Sequence, residues 1–457
     1  MYWQDKLVTI LGLGKSGLAC AETLARLGAR LCLSDKRPTE ELLPLVAHLP
    51  QDRLRVEGGG HSGACLDADA LVLSPGVSID LPMVQAAIAD GVPVIGEIEL
   101  AYQLRHDVPY VAITGTNGKT TTTTLTGEIL AHAGKQAPVG GNIGTPLVSL
   151  ISEPADAFVL EVSSFQLETI HTFRPHVAVF LNFSDDHLDR HGSREGYWAM
   201  KKRLFENQEA TDIAVLNADD PAVASLADTV RARPLRFSQH LDLDDGVLVQ
   251  DGWIVARDAD GDRPVMPLSE IRLRGTHNLE NVLAAVAVAV ALALPLDRVR
   301  EAVAAFSGVE HRIEPVTTID GVLYLNDSKG TNYASTVKAI EAFDEPIVLI
   351  AGGRDKGGAI SDMVEAISRR VRHTVLIGEA APYFERVLRA AGYEAISRAD
   401  DLQGAVAQAQ GLARAGEVVL FSPACTSFDM FKNYEERGRA YKSLVHALAG
   451  SPAEQPH

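Results

Sequence analysis

The sequence predicts an α/β protein of roughly three domains built on parallel sheets. Short apolar runs that end in Gly, Ser or Asp alternate with longer helical patterns, which is typical of parallel α/β units. The chain has 457 residues, more than one hydrophobic core usually serves, so two to four domains are expected. Two of the apolar runs lead directly into glycine-bearing turns of the kind that binds phosphate.

Three blocks of predicted elements follow one another along the chain. A change of composition at 103–109 predicts a linker, and a polar stretch rich in Asp and Gly at 240–262 predicts hairpins or loops. The blocks predict domains at 1–107, 108–309 and 310–457. The predicted strands are 7–11, 30–33 and 70–73 in the first block, 111–114, 157–162, 177–183 and 213–217 in the second, and 347–350, 374–377 and 418–422 in the third.

Composition and charge argue against several classes of partner and cellular location. The net charge of −18 argues against nucleic acid or a membrane surface as the main partner. Four cysteines, Cys20, Cys32, Cys65 and Cys425, lack C-x-x-C spacing and fit a reducing cytoplasm. The first residues lack the pattern of a signal peptide, and the apolar run 282–294 stops at Pro295, so we expect a buried helix and a cytoplasmic protein without membrane insertion.

The segment 111–121 predicts a nucleotide-phosphate site. An apolar strand runs into a loop that ends in Gly118-Lys119-Thr120, and a helical pattern begins at Thr121. Backbone N–H groups of such a loop surround phosphate oxygens, the lysine reaches the terminal phosphates, and the hydroxyl suits Mg²⁺. Ile113 stands where the first glycine of a P-loop is usual, so we interpret the loop as a P-loop variant; the alternative is an ordinary Gly/Thr/Asn turn.

A second glycine loop lies near the start of the chain. Residues 12–17 read G-x-G-x-x-G after a strand that precedes a predicted helix at 17–27, and Asp35 lies eighteen residues past Gly17. On this motif alone NAD is the default proposal, but a UDP-sugar satisfies the same geometry. Two such loops indicate two different phosphorylated ligands, unless one loop is only a tight turn.

Acids and imidazoles at the ends of middle-block strands are candidate metal ligands. Glu161 ends one strand and either contacts a metal or caps the next helix. Residues 182–191 concentrate acids and histidines, which suits a second divalent ion or a polar surface loop. The run 201–203, Lys-Lys-Arg, is ordinarily a solvated helix face.

Seven segments of the chain carry recognisable motifs, in the order 115–120, 140–144, 161–167, 186–189, 277–281, 311–312 and 326–329. In this order, the motifs resemble the Mur ligase family of peptidoglycan synthesis over nearly the whole chain. Within that family, the first Gly-x-Gly block and residues 422–438 look like the branch that adds D-glutamate, which implies a bacterial source.

The resemblance implies an architecture and a reaction. It implies Rossmann-like first and third domains, which bind the UDP-sugar and the amino acid, and a central P-loop ATPase-like domain with a mostly parallel sheet, which binds ATP. ATP would phosphorylate the terminal carboxylate of UDP-N-acetylmuramoyl-L-alanine, and the amine of D-glutamate would attack the acyl phosphate to form an amide. ATP, Mg²⁺ at two sites and a carbamate on Lys201 are the implied cofactors, and a monomer is expected.

The resemblance also implies roles for individual residues. Lys119, Lys201, His187 and Lys329 are the implied catalytic residues, and Thr120, Glu161, His187 and Lys201 the implied metal ligands; Lys202 competes with its neighbour Lys201 for the carbamate. The nucleotide would be bound by Gly115, Thr116, Asn117, Gly118, Lys119, Thr120, Thr121, Asn278, Asn281, Arg312 and Asp327.

The two other substrates have their own implied sets of residues. Lys15 departs from the small hydroxyl or apolar residue expected there and either contacts phosphate or points to solvent, and either Arg354 or Lys356 meets a D-glutamate carboxylate. The UDP-sugar would be bound by Lys15, Ser16, Asp35, Lys36, Arg37, Ser74, Gly76, Asn142 and His187, and D-glutamate by Thr331, Lys356, Ser427, Phe428 through its backbone, and Tyr434.

Two other function classes stay open from the sequence. One is a different amide ligase of the Mur or folylpolyglutamate type, which would take another acceptor or amino acid. The other is a nicotinamide-dependent oxidoreductase built on residues 1–100, or a nucleotide-binding regulatory protein without catalysis. Both members of this second class leave Glu161, His187 and Lys329 unexplained.

Overall fold

The computed structural model describes residues 3–62, 67–273 and 275–450, and its strands gather into three sheets within these ranges. The chain divides into two compact units. The first comprises Met1–Ile271 and Glu280–Ala305 and carries two of the sheets; the second comprises Arg272–Leu279 and Phe306–His457 and carries the third. The α/β class predicted from the alternation of apolar runs and helical patterns is confirmed.

The first sheet has five parallel strands in the order β3-β2-β1-β4-β5. The predicted strands 7–11, 30–33 and 70–73 are confirmed as β1, β2 and β4, because buried apolar runs of this length suit a parallel sheet that is covered on both faces. The strands are β1 (Leu7–Leu11), β2 (Arg30–Ser34), β3 (Leu54–Glu57), β4 (Ala70–Leu73) and β5 (Val94–Gly96), and the helices are α1 (Lys15–Arg26), α2 (Thr39–Val46), α3 (Pro82–Ala89) and α4 (Glu97–Leu104).

The second sheet has nine strands in the order β14-β13-β12-β11-β10-β9-β6-β8-β7. Its β6 lies between β8 and β9, so the loop that follows β6 leaves the sheet at a central position. The strands are β6 (Tyr110–Thr114), β7 (Val139–Gly141), β8 (Phe158–Glu161), β9 (Val177–Phe180), β10 (Ile213–Asn217), β11 (Arg233–Ser238), β12 (Gly246–Gln250), β13 (Trp253–Asp258) and β14 (Gly261–Pro267).

The helices of the middle segment vary greatly in length. The longest, α11, begins six residues before the predicted apolar run and ends before Ala293, whose φ is +52°. Its first turn is polar and was therefore missed, whereas the predicted run continued past Ala291, where the helix ends. The helices are α5 (Lys119–His132), α6 (Leu147–Leu150), α7 (Ser164–Leu167), α8 (Leu188–His191), α9 (Arg194–Lys202), α10 (Pro221–Ala224), α11 (Thr276–Ala291) and α12 (Leu296–Ala305).

Two predictions about irregular segments have different outcomes. The hairpins expected at 240–262 are present, since β12, β13 and β14 pair antiparallel and extend the middle sheet at one edge. The linker expected at 103–109 is shorter, because α4 continues to Leu104. Tyr102 on α4 packs edge-to-face on Tyr110 and Phe173, at ring distances of 5.4 and 5.5 Å, and these contacts hold the last turn in place.

The third sheet has six strands in the order β15-β16-β20-β17-β18-β19, parallel except for the β15–β16 hairpin. The predicted strands 347–350, 374–377 and 418–422 are confirmed as its centre. The strands are β15 (Glu314–Ile319), β16 (Val322–Asn326), β17 (Ile347–Gly352), β18 (Val371–Ile377), β19 (Ile396–Arg398) and β20 (Val418–Phe421), and the helices are α13 (Tyr333–Glu341), α14 (Ser361–Arg370), α15 (Ala381–Ala390), α16 (Leu402–Leu412) and α17 (Tyr434–Gly450).

Two further predictions concern the membrane and the cysteines. Across the three described ranges, no helix has both the length and the apolar content required to cross a bilayer. Cys20, Cys32 and Cys425 are buried thiols and not disulfides, whereas Cys65 lies outside the described residues.

Candidate active site

The loop between β6 and α5 turns at two glycines. Gly115 and Gly118 adopt φ values of +155° and +82°, which only glycine adopts readily. A Cβ atom at Gly118 would lie 2.1 Å from Asn281 Oδ1, so the close approach of α11 also requires glycine. The Asn117 N–H donates to Asn182 Oδ1 at 2.8 Å, which fixes the loop to the end of β9.

Lys119 begins α5 and bends back over this loop. Its Nζ donates to the carbonyl oxygens of Gly115 and Thr116, both at 2.9 Å. The ammonium therefore lies above the loop, and the start of α5 adds the positive end of a helix dipole. This arrangement of cation and N–H donors matches the needs of a polyphosphate.

Glu161 ends β8 beside the loop and is almost completely buried. The Thr120 hydroxyl donates to its Oε2 at 2.8 Å, and the Asn142 amide donates to its Oε1 at 2.7 Å. Hydroxyl, carboxylate and amide therefore meet at the carboxyl end of the sheet, where parallel α/β sheets bind ligands.

Lys201 lies in the same place, although the sequence alone favoured a solvated helix face. It is 1% exposed, and its Nζ donates to the Gly115 carbonyl at 2.7 Å. The same atom lies 4.8 Å from the centre of the Tyr197 ring. Burial, together with the nearby charge of Lys119, lowers the pKa of Lys201 well below its ordinary value. Lys202, by contrast, is exposed.

His187 precedes α8 with a left-handed backbone, φ +51°. Its ring lies 4.8 Å from the centre of the Phe165 ring and 6.1 Å from that of Tyr197, and its Nε2 lies 3.6 Å from Asp186 Oδ2. His187 and Lys201 therefore both lie near the ring of Tyr197. Among the described residues, no group of three or more His, Cys, Asp or Glu side chains is arranged to hold a metal ion.

A cavity of about 550 Å³ lies at the carboxyl end of the first sheet. Lys15 lines it, while Arg37 instead forms a fork on Asp35 and donates to the Leu13 carbonyl. This pairing, with N–H donors from Leu13 and Arg37, lowers the pKa of Asp35 although burial opposes it. The lining also includes Gly12, Gly14, Ser16, Asp35, Lys36, Ser74, Gly76, His61 and Arg190.

The second unit carries a buried polar centre around Asp327. Burial raises the pKa of this carboxyl to about 6, although the Ser422 hydroxyl donates to it at 2.6 Å and the Ile313 N–H at 3.2 Å. Nearby, Lys329 Nζ lies 5.9 Å from the centre of the Tyr434 ring. Arg437 is fully buried and donates to the Ser328 and Cys425 carbonyls.

Arg354 and Lys356 in the segment after β17, which the sequence left as alternatives for a D-glutamate carboxylate, have different partners. Arg354 forms a fork on Glu379 at 2.8 and 2.9 Å, whereas Lys356 points to the Thr331 hydroxyl at 3.5 Å. Ser427 is buried, and Phe428 is 62% exposed. Lys356 and Thr331 therefore form a pair, and Arg354 is already engaged.

The residues suggested for the nucleotide divide between the two units. Asn281 is buried in the first unit beside Thr122, whose hydroxyl lies 3.3 Å from its Oδ1. Asn278, Arg312 and Asp327 belong to the second unit. There, burial and the charges of Lys338 and Arg312 lower the pKa of His277 to about 4.

Sequence reasoning had assigned no role to several of these residues. Asn182 was within a suspected acidic loop, and its position directly after a strand was the available signal. Arg190 lay within the stretch 182–191, of which only the acids and histidines were considered. Tyr197 and His61 belonged to no motif, because they reach their sites through contacts between distant parts of the chain.

Three family models match successive segments of the chain. The Mur ligase MurD-like N-terminal domain matches residues 6–96, the Mur ligase middle domain 113–289, and the Mur ligase glutamate ligase domain 311–425. Two solved structures from Thermotoga maritima have similar folds: the UDP-N-acetylmuramate-alanine ligase MurC, with TM-score 0.60 and 19% identity over 97% of this chain and 100% of that one, and a MurF ligase in complex with ADP, with TM-score 0.59 and 18% identity over 97% and 96%.

Relatives named UDP-N-acetylmuramoylalanine--D-glutamate ligase are similar over almost their full length. One from Pelotomaculum thermopropionicum is 47% identical and covers 97% of this chain and 98% of the relative. Another from Koribacter versatilis is 45% identical over 98% of both chains. At this identity and coverage the relationship is certain, and the chain belongs to the Mur ligase family.

Proposed function

We propose that this protein joins D-glutamate to UDP-N-acetylmuramoyl-L-alanine in an ATP-dependent step of peptidoglycan precursor synthesis. The cluster of Lys119, Thr120, Glu161 and Lys201 around one loop carries the proposal, because it combines a polyphosphate cradle with a buried hydroxyl, carboxylate and amine. The names of the 45–47% identical relatives support the choice of substrates. We place the reaction in the cytoplasm, where ATP is available.

The chemistry explains why such a site is needed. A carboxylate is a poor electrophile, so one of its oxygens first attacks the γ-phosphorus of ATP and ADP leaves. The D-glutamate amine then attacks the acyl carbon, inorganic phosphate leaves and the amine loses a proton. The ammonium of Lys119 and the N–H groups of the loop stabilise the negative charge that accumulates when one anion approaches another.

The residues present fit Mg²⁺. The Thr120 hydroxyl and Glu161 carboxylate are hard oxygen donors 2.8 Å apart, and Mg²⁺ usually binds one or two carboxylates together with substrate phosphates and water. We assign these two residues to the nucleotide-associated ion and His187 to a second one. When bound, the ions neutralise phosphate charge.

Lys201 is the residue we propose to be carbamylated. A buried, neutral amine attacks the carbon of CO₂, the N–C bond forms and a proton is released, which leaves an anionic oxygen donor in place of a cation. Its burial and its separation from solvent support this choice over the exposed Lys202. We assign Lys329 to the transferring phosphate, supported by its position two residues after Asp327.

The three segments that the family models match support domains at 1–107, 108–309 and 310–457. We assign the remaining substrates according to these domains. We assign the UDP-sugar to the cavity of the first sheet, with Asn142 and His187 toward the sugar end. In the second unit, Thr331, Lys356, Ser427, the Phe428 backbone and Tyr434 would hold D-glutamate. The engagement of Arg354 by Glu379 supports Lys356 as the cation that meets a D-glutamate carboxylate.

Release of ADP with each substrate omitted in turn tests the proposal. We expect ADP only when UDP-N-acetylmuramoyl-L-alanine and D-glutamate are both present, and little product when glycine or meso-diaminopimelate replaces D-glutamate. Equal rates with the other amino acids would contradict the choice of D-glutamate. A complete absence of ADP in every mixture would contradict a ligase.

A further inference from the structure

Arg190 connects the middle segment of the chain to the cavity of the first sheet. It lies in α8, yet it lines this cavity, and its Nη2 donates at 2.9 Å to the carbonyl of Val77, 113 residues earlier in the chain. The other lining residues come from the loops that follow β1, β2, β3 and β4 and from the first turn of α1. Arg190 therefore completes a wall that the first sheet does not build alone.

The side chain of Arg190 is held on several sides. Its Nε and Nη2 donate to the two carboxylate oxygens of Glu168 at 3.0 and 2.6 Å, and the exposed fractions of the two side chains are only 17% and 7%. The guanidinium carbon lies 5.2 Å from the centre of the Phe165 ring. A forked pair of this kind, with a ring beneath it, fixes the plane of the guanidinium.

The third guanidinium nitrogen of Arg190, Nη1, can donate hydrogen bonds to a ligand. Within residues 3–62, 67–273 and 275–450, Nη1 of Arg190 has no hydrogen-bond partner, and it is not among the fully buried side-chain atoms that lack one. It retains two N–H donors of a charged group at a cavity wall.

The chemistry beside Arg190 is that of a diphosphate site. The turn that contains Val77 is joined to the glycine loop, because the Ser74 hydroxyl donates to the Gly12 carbonyl at 2.6 Å. The same loop leads into α1, whose first residues line the cavity and whose N-terminus favours anions. A phosphate at the start of α1 would therefore lie in the cavity that Val77 and Arg190 also line.

We propose that Arg190 is a substrate-positioning residue that donates from Nη1 to the distal phosphate of the UDP-sugar. The inference rests on the proposed function, since it takes the cavity as the UDP-sugar site. By joining this phosphate to Glu168 and to the turn that carries His187, Arg190 sets the direction in which the sugar leaves the first sheet toward the middle one.

Calorimetric binding of UDP and UMP to the full chain tests this role. In Arg190→Lys, the ammonium still pairs with Glu168 but the Nη1 donors are gone. We expect UDP binding to weaken about tenfold or more, as for loss of a charge-assisted hydrogen bond, while UMP binding changes less than twofold. An unchanged ratio of UDP to UMP affinity, or equal weakening of both, would overturn the assignment.

Two further variants keep the result interpretable. Arg174→Lys is the matched control, because Arg174 forms the same kind of fork on Asp212 away from this cavity, and it should leave both affinities unchanged. If Arg190→Lys does not fold, Arg190→Gln combined with Glu168→Gln replaces the ion pair by neutral amides and should give the same selective loss for UDP. If the unmodified protein binds neither UDP nor UMP, the proposed function itself fails.

Discussion

Neighbouring lysines on α9 have opposite environments. Lys201 is 1% exposed and donates to the Gly115 carbonyl of the loop between β6 and α5, whereas Lys202 is exposed. A buried ammonium is costly unless its charge is removed or compensated. Its burial beside Lys119 therefore favours a neutral amine, which is the form that reacts with CO₂.

We predict that Lys201→Ala lowers kcat by about a hundredfold or more, as expected for loss of a preorganised charged group. The chain should remain folded, because the desolvation cost of the buried amine is lost together with its packing. Steady-state ADP release and circular dichroism measure the two effects, and added acetate should restore part of the activity. Lys202→Ala is the control and should retain normal turnover; near-normal activity of Lys201→Ala would contradict the role.

At the scale of elements, α4 links the first sheet to the middle one through two buried acids. Glu99 accepts N–H groups from His171, Thr172 and Phe173, and Glu97 accepts the Val148 N–H at 2.6 Å at the start of α6. The Oε2 atom of Glu97 is buried without a hydrogen-bond partner among the described residues. Burial consequently raises the pKa of Glu97 from 4.5 to about 7.

This carboxyl gives a pH dependence with a defined sign. Between pH 4.5 and 7 the folded chain binds the Glu97 proton and the unfolded chain does not, so the free energy of unfolding falls as the pH rises. Glu97→Gln keeps a carbonyl acceptor for Val148 but has no carboxyl to titrate. We predict that between pH 5 and pH 8 the free energy of unfolding of this variant falls by about 3 kcal/mol less than that of the unmodified protein.

Urea unfolding of both proteins at the two pH values measures the difference. The exposed Glu128 on α5 provides the control, since Glu128→Gln should follow the unmodified chain. Parallel pH profiles for Glu97→Gln and the unmodified protein would show that the Glu97 carboxyl does not titrate in this window.

At the scale of the whole molecule, the candidate ligand sites are distributed between two compact units. The cavity of the first sheet and the loop at β6 belong to the first unit, and the Lys356–Thr331 pair belongs to the second. A ligand that binds only the folded state of one unit stabilises that unit, by about 2.7 kcal/mol at a hundred times its dissociation constant.

We predict that saturating UDP slows amide hydrogen exchange in the first unit. The protected peptides should include residues 12–16, 35–36 and 74–78, because these segments line the cavity. Mass spectrometry of the full chain with and without UDP measures the change, and uridine without phosphate serves as the comparison. If UDP leaves hydrogen exchange unchanged in all three segments, the UDP site lies elsewhere.

The local elements were predictable from the sequence because their signals are local. The strands 7–11, 70–73 and 213–217 were predicted with the bounds that the structure shows, since each is a buried apolar run between turn residues. The hairpins at 240–262 were equally predictable from Gly and Asp. The loop 115–120 between β6 and α5 was predictable for the same reason, because it is formed by consecutive residues.

The sequence by itself therefore determined the α/β class, the position of the two glycine loops and the reaction type that its motifs imply. Only the tertiary structure decided that Lys201 is buried while Lys202 is exposed, that Arg354 is engaged by Glu379, and that Arg190 reaches Val77. The physical reason is distance along the chain: burial and ion pairing depend on which remote segments meet, and neither periodicity nor local propensity records those meetings.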